Sequence, residues 1–279
     1  MKVAVVGHVE WIQFARVERV PAAGEIVHAS EDWEVAGGGG AVAAVQLARL
    51  AGSCLFITAL GDDELGRRAE RELERLGVRV AAGRRPERQR KALVHVDAEG
   101  ERTITVMGER LGPRGDEPLP WDELVDADAV YFTAGDSAAL RTARSARILV
   151  ASVRGKEVLA SAGVQLDVLV ASGNDRDERY VLGDIEPVPG LVVSTAGGEG
   201  GTLLKPDGTT RRWAAEPLRG RVVDSYGAGD CFAAGLTFGL GDGRSIEDAL
   251  ALGARCGAAC MTGRGPYEGQ VRFAGAPKP

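Results

Sequence analysis

Six short stretches of this chain are apolar at nearly every position: "KVAVVG" (2–7), "LFITAL" (55–60), "AVYFTA" (129–134), "RILVAS" (147–152), "DVLVAS" (167–172) and "LVVST" (191–195). A strand with one wet face would alternate; strands apolar throughout are buried on both faces. Helical patterns separate them. In "DDELGRRAERELERLG" (62–77), Leu65, Ala69, Leu73 and Leu76 form one apolar stripe, Asp62 or Asp63 can cap the start, and Gly77 ends the helix. Buried strands alternating with helices predict an α/β fold: a doubly wound, mostly parallel sheet in a three-layer α/β/α sandwich. Two segments break the rhythm. "EIVHASEDWEVAG" (25–37) and "KALVHVDAEGERTITVMG" (91–108) alternate apolar and polar, and the second turns at Glu99-Gly100. They predict a small antiparallel β flap inserted into the core. The expected organisation is one domain, 1–279, with a lid formed by about 9–35 and 91–110 and a core formed by 1–8, 36–90 and 111–279.

Composition narrows the partners. A net charge of −6 over 279 residues argues against nucleic acid or an anionic membrane as the main partner. No run approaches the roughly 20 apolar residues of a membrane span, and "MKVAVVG" leads into a strand with no signal-peptide pattern. The four cysteines (Cys54, Cys231, Cys256, Cys260) stand among small or apolar residues, as reduced thiols do, which implies a cytoplasmic protein. Cys256 and Cys260 share a helix face, but no histidine or further cysteine completes a metal set. The histidines are scattered and suggest no site. The basic run Arg84 to Lys91 reads as a solvated loop.

The stretch with the most chemistry is "RVVDSYGAGDCFAAGLTFGL" (221–240). Val222 and Val223 are expected to end a strand, and from Ala228 onward Phe232, Gly235, Leu236, Gly239 and Leu240 recur at helical spacing. A helix beginning inside "GAG" presents its free N–H groups and the positive end of its dipole, and glycines let an anion approach the backbone. Asp230 in that first turn can stabilise the helix dipole. It would also repel a bound anion, which makes chemical sense if it accepts the proton of a hydroxyl attacking a phosphoryl group.

This stretch resembles the second signature of the ribokinase-like carbohydrate kinases, the PfkB family, with Ser225 in place of the usual threonine. "GGGGAVAAVQLARLAG", "ALGDDELG", "DAEGERTI", "SGNDRDE" and "STAGGEGG" resemble the family's other motifs in the same order. The resemblance implies a kinase moving the ATP γ-phosphoryl group to a hydroxyl of a sugar or sugar-like small alcohol. It implies Asp230 as general base, with Gly227, Ala228 and Gly229 as the anion hole. Asn174, Thr195, Gly197 and Gly200 would bind the nucleotide. Gly37 and Gly38 would meet the acceptor, with Glu10 and Asp136 as further candidates. Mg²⁺ is expected with the triphosphate; Asp177 stands at the family's acidic position, with Glu178 beside it as the alternative. Asp224 matches the place where some members hold a monovalent cation such as K⁺. A homodimer packed lid to lid is also implied.

The departures lie on the acceptor side. Ile12 stands where sugar kinases of the family hold an aspartate, Ala41 and Val42 stand where an asparagine follows the diglycine, and "VASVR" keeps only Arg154 of another family segment. Trp11 and Trp33 flank the flap and can cover a substrate or pack. A nucleoside or vitamin-type alcohol therefore stays open as acceptor, as does a non-catalytic metabolite or nucleotide sensor. A dinucleotide-binding dehydrogenase does not fit, because "GGGG" follows the expected flap rather than the first strand.

Overall fold

The computed structural model describes residues 1–273. The six apolar runs are all strands: β1 (Val3–Val6), β4 (Cys54–Gly61), β8 (Ala129–Phe132), β9 (Ile148–Ser152), β10 (Val168–Ser172) and β11 (Val192–Thr195). With β5 (Val78–Arg85), β12 (Gly201–Leu204) and β13 (Thr210–Trp213) they make a nine-stranded sheet ordered β13-β12-β11-β10-β9-β8-β1-β4-β5. Pairing is parallel from β5 to β11 and antiparallel at β11–β12 and β12–β13.

Burial explains the unbroken apolar runs. Along β1, Val3 and Val5 join one core while Ala4 and Val6 join another on the opposite face. The first core is closed by α1 (Gly39–Ala51), α2 (Glu64–Arg75), α5 (Ala228–Gly241) and α6 (Ile246–Cys260). The second lies under α3 (Ser137–Ala143) and α4 (Lys156–Ala162). Helix α2 starts where expected: the Asp63 carboxylate accepts the Gly66 N–H at 2.9 Å.

Strands β2 (Glu10–Arg16), β3 (Glu31–Gly37), β6 (Lys91–Val96) and β7 (Arg102–Met107) form a separate four-stranded sheet ordered β3-β2-β6-β7. Its pairs β2–β3 and β6–β7 are antiparallel, and the two are joined by a parallel β2–β6 contact. Trp33 stacks flat on Phe14 within this sheet, at 4.8 Å between rings, and Trp11 is buried under the Arg68 guanidinium. Both tryptophans therefore serve packing.

One expectation fails. Val222 and Val223 belong to no strand. Their segment is tied instead to a loop and a hairpin tip: Val223 N–H donates to the Met261 carbonyl at 2.8 Å and Ser225 N–H to the Gly100 carbonyl at 3.0 Å. The apolar side chains suggested a sheet, but the backbone donors are met by these irregular partners.

In the large sheet the chain runs outward from β1 to β4 and β5 on one side and from β8 onward on the other. The strand order thus reverses between β1 and β8, and a crevice opens at the carboxyl ends of such neighbours.

Candidate active site

Immediately after β1 and β8, Gly7 and Thr133 approach so closely that a Cβ on Gly7 would lie 2.8 Å from Thr133 Oγ1 and 2.9 Å from Gly40 Cα. Only glycine lets α1 and the two strand ends meet here. The same close approach brings "GGGG" to the reversal point. Gly38 precedes α1 with φ of 86°, a left-handed value that favours glycine, and donates its N–H to Tyr226 Oη at 3.0 Å. Gly37 packs against Ile12, which is fully buried. Ile12 therefore has no access to an acceptor.

Gly227, at φ of 82°, turns the chain into α5, wedged between Val42 and Pro266. Gly229 in the first turn has no atom within 4 Å of the position a Cβ would take, so the helix end is open. Asp230 is only 9% exposed, and its Oδ1 accepts from Arg154 Nη1 at 3.0 Å. Arg154 also donates to Glu178. Burial works against the guanidinium, but Asp230 and then Glu178 outweigh it, so Arg154 stays firmly cationic.

Two cavities lie near this turn, one lined by its own residues and the other by Arg154, the partner of Asp230. One, of about 550 Å³, is lined by Thr195, Gly197, Trp213, Ala228, Gly229 and Phe232, with Trp213 stacked on Phe232 at 5.3 Å. Asn174 borders it, since its Nδ2 lies 3.7 Å from where Gly197 would carry a Cβ. Gly200 is not on its wall: it backs onto Trp213, whose carbonyl would sit 2.2 Å from a Cβ. The other, a cleft of about 830 Å³, runs past Thr133, Asp136, Arg154, Arg110 and Asp177.

Between the cleft and the lid stands Glu10, 7% exposed, with Arg90 Nε 2.8 Å and His8 Nε2 3.7 Å from its Oε1. Burial raises the Glu10 carboxyl above its ordinary value, with Arg90 and Arg110 pulling the other way. His8 is buried, with Nδ1 3.3 Å from Thr133 Oγ1. Its pKa is driven well down, by burial first and then by Arg110, Arg154 and Arg90.

The remaining candidates divide. Asp136 lies on the cleft, but its Oδ1 caps α3 through Ala139 N–H at 2.7 Å and holds Gly115 N–H at 3.0 Å. Asp177 is exposed at the cleft rim, and it is Glu178 that reaches the site through Arg154. Asp224 is fully buried, and its two oxygens accept Tyr226 N–H at 2.8 Å and Gly265 N–H at 3.0 Å. Among the described residues, no three His, Cys, Asp or Glu side chains form a metal cluster.

Sequence reasoning missed His8, Arg90 and Arg110. The run 84–91 is not uniformly solvated. Gln89 is buried, accepting Gly61 N–H and donating to the Val9 carbonyl, and Arg90 turns inward toward Glu10. A polar "GHVE" directly after a buried strand was the available signal for His8 and Glu10.

A buried acid thus stands at an open helix N-terminus beside a cavity, at the strand-order reversal of an α/β sheet. The family model described as "pfkB family carbohydrate kinase" matches residues 1–156 and 171–271. The chain belongs to that family and is a kinase. It is 31% identical over 282 residues to the ATP-dependent ribose-1-phosphate kinase of Halopiger xanaduensis, covering 92% of this chain and 91% of the relative. It is 27% identical to the aminoimidazole riboside kinase of Salmonella typhimurium, with 82% of each covered. The ribokinase of Thermotoga maritima shares its fold at a TM-score of 0.77 and 20% identity, over 98% of this chain and 96% of that one. The sensor and dehydrogenase readings are set aside.

Proposed function

We infer that this kinase transfers the γ-phosphoryl group of ATP to a hydroxyl of a sugar-like alcohol, with Asp230 as the general base. The observation that carries the reading is the position of Asp230. Its helix turn lines the 550 Å³ cavity through Ala228 and Gly229, and its partner Arg154 lines the cleft. A nucleotide in the first and an alcohol in the second would meet at this carboxylate. The alcohol O–H proton passes to Asp230, its oxygen bonds to the γ-phosphorus, and the bond to the leaving ADP oxygen breaks in line. The free N–H groups at Gly227–Gly229 offer donors to the charge that builds on the transferring group.

The apolar cavity faced by Trp213 and Phe232 suits an adenine ring, with Asn174, Thr195 and Gly197 toward the phosphates. Mg²⁺, when bound, would neutralise triphosphate charge. The carboxylates on offer, Asp177 at the rim and Glu178 on Arg154, fit an ion held mainly by phosphate oxygens and water. Asp224 fits K⁺ poorly, because one oxygen already closes a turn on Tyr226 N–H and the other ties in the distant Gly265 N–H. A homodimer through the lid is supported by Ile104, Val106 and Met107 of β7, each 40–43% exposed.

The test is ATP consumption with Mg²⁺ over a panel of sugars, polyols, sugar acids, sugar phosphates and nucleosides, comparing wild type with Asp230→Asn. The expected loss is about 10²–10⁴-fold in kcat with ATP binding retained. Full turnover by Asp230→Asn would remove it from the role of base.

A further inference from the structure

We propose that the acceptor is anionic, a sugar monophosphate whose phosphate is held by Arg110 and Arg154 with Arg90 behind them, and that this phosphate draws Arg154 away from Asp230. The inference rests on the kinase reading above.

Three guanidinium groups converge on the acceptor half. Arg110 Nη1 lies 3.4 Å from the Arg154 carbonyl, Arg154 is on Asp230, and Arg90 is on Glu10. All three act on buried His8. Asp230 and Glu178 offset Arg154, and Glu10 offsets Arg90. These acids do not extend to Arg110. Arg110 has no carboxylate partner among the described residues, nor has Arg114 further along the same cleft wall. Arg90 Nε is close to Glu10 but makes no aligned hydrogen bond. The acids of the cleft are displaced or engaged: Glu87, Glu109, Glu157 and Asp177 are exposed, and Asp136 is tied to two backbone N–H groups. Guanidinium forks match phosphate oxygens in pairs, which suits arginine here better than lysine.

The second half follows from the Asp230 geometry. A general base must offer a lone pair to the substrate hydroxyl; Arg154 Nη1 holds Oδ1 of Asp230 at 3.0 Å and pairs its charge, while Oδ2 accepts no hydrogen bond among the described residues. Arg154 is about a third exposed on its side chain, so it has room to swing. A phosphate carries more charge than one carboxylate oxygen and competes for that guanidinium. Binding the correct acceptor would then release the carboxylate from its ion pair, while water or an uncharged sugar would leave it paired with Arg154. The acceptor's own phosphate is unchanged in the reaction. A second phosphate ester forms at the hydroxyl, giving a sugar bisphosphate and ADP, with the hydroxyl proton left on Asp230.

The experiment compares kcat/KM for pentose and hexose monophosphates, their parent sugars and sugar acids, in wild type and Arg110→Gln. In parallel, calorimetry measures binding of the same compounds. Turnover confined to sugar phosphates, with kcat/KM reduced about 10- to 100-fold in Arg110→Gln, is the expected result. Inorganic phosphate should compete with the acceptor and not with ATP. Equal or better turnover of parent sugars or sugar acids overturns the proposal and leaves the kinase reading standing. Arg110-dependent binding of sugar phosphates without turnover of any compound would support the anionic site and sink the kinase reading. If sugar phosphates neither bind nor turn over, the proposal is overturned.

Discussion

Gly39→Ala separates the position of the base from the stability of the fold. Gly39 begins α1 with ordinary backbone angles, so alanine is conformationally allowed. In a helix alanine exceeds glycine by roughly 0.5–1 kcal/mol, so the fold should hold or gain. The site should suffer. A Cβ on Gly39 would lie 2.8 Å from Asp230 Oδ1 and 3.3 Å from Arg154 Nη1. The first contact falls short of ordinary van der Waals distance by roughly half an ångström. The strain is relieved by moving the end of the Asp230 side chain, and with it the Arg154 guanidinium it holds, rather than the backbone. A displacement of this size at a reacting group costs on the order of 10- to 100-fold, given that about 1 Å can cost 10². The assay is steady-state kinetics beside thermal unfolding: kcat should fall about 10- to 100-fold with Tm unchanged or raised. Unchanged kcat would refute the placement of Asp230 Oδ1 at the reacting hydroxyl. A fall in Tm matching the fall in activity would refute the separation of site from fold.

Glu10→Gln should flatten the pH dependence of stability. Burial raises the Glu10 carboxyl above its ordinary value near 4.5, so the folded chain binds this proton more tightly than the unfolded one. Its contribution therefore falls as pH rises from about 4.5 through the folded value. Urea midpoints measured from pH 4 to about pH 8 should show a smaller decline in the variant, and parallel curves would count against it. Trp213→Ala should raise KM for ATP about 3- to 10-fold with a smaller change in kcat, since an aromatic contact with an adenine in this cavity would be worth roughly 0.5–1.5 kcal/mol. The indole N–H is buried without a partner, so its removal strands no acceptor. An unchanged KM for ATP would move the adenine elsewhere.

The large sheet was legible in the sequence because its signal is one-dimensional. Each parallel strand must bury both faces, so each is an unbroken apolar run, and the order of runs and helices nearly dictates the topology. The helix start at Gly227 to Asp230 was legible for a related reason: these are four consecutive residues, and a helix N-terminus is a local object. The acceptor half is assembled differently. His8 and Glu10 follow β1, Arg90 ends a loop, Arg110 follows β7, and Arg154 follows β9. Nothing in the spacing of these residues shows that they converge. Arg90 lay in a run of charges whose neighbours Arg84 and Arg85 pair with Glu70 and Glu117, so the run as a whole looked solvated. Asp136 misled in the opposite direction: an acid at the end of a strand suits a ligand, but it equally suits the start of the next helix, where its side chain is used. Substitution of the expected aspartate by Ile12 removes one way of holding a neutral sugar, and three converging arginines supply a way of holding an anion. Loss and gain lie in the same half of the proposed site, which is what a change of acceptor would require if the chemistry proposed for Asp230 stayed fixed.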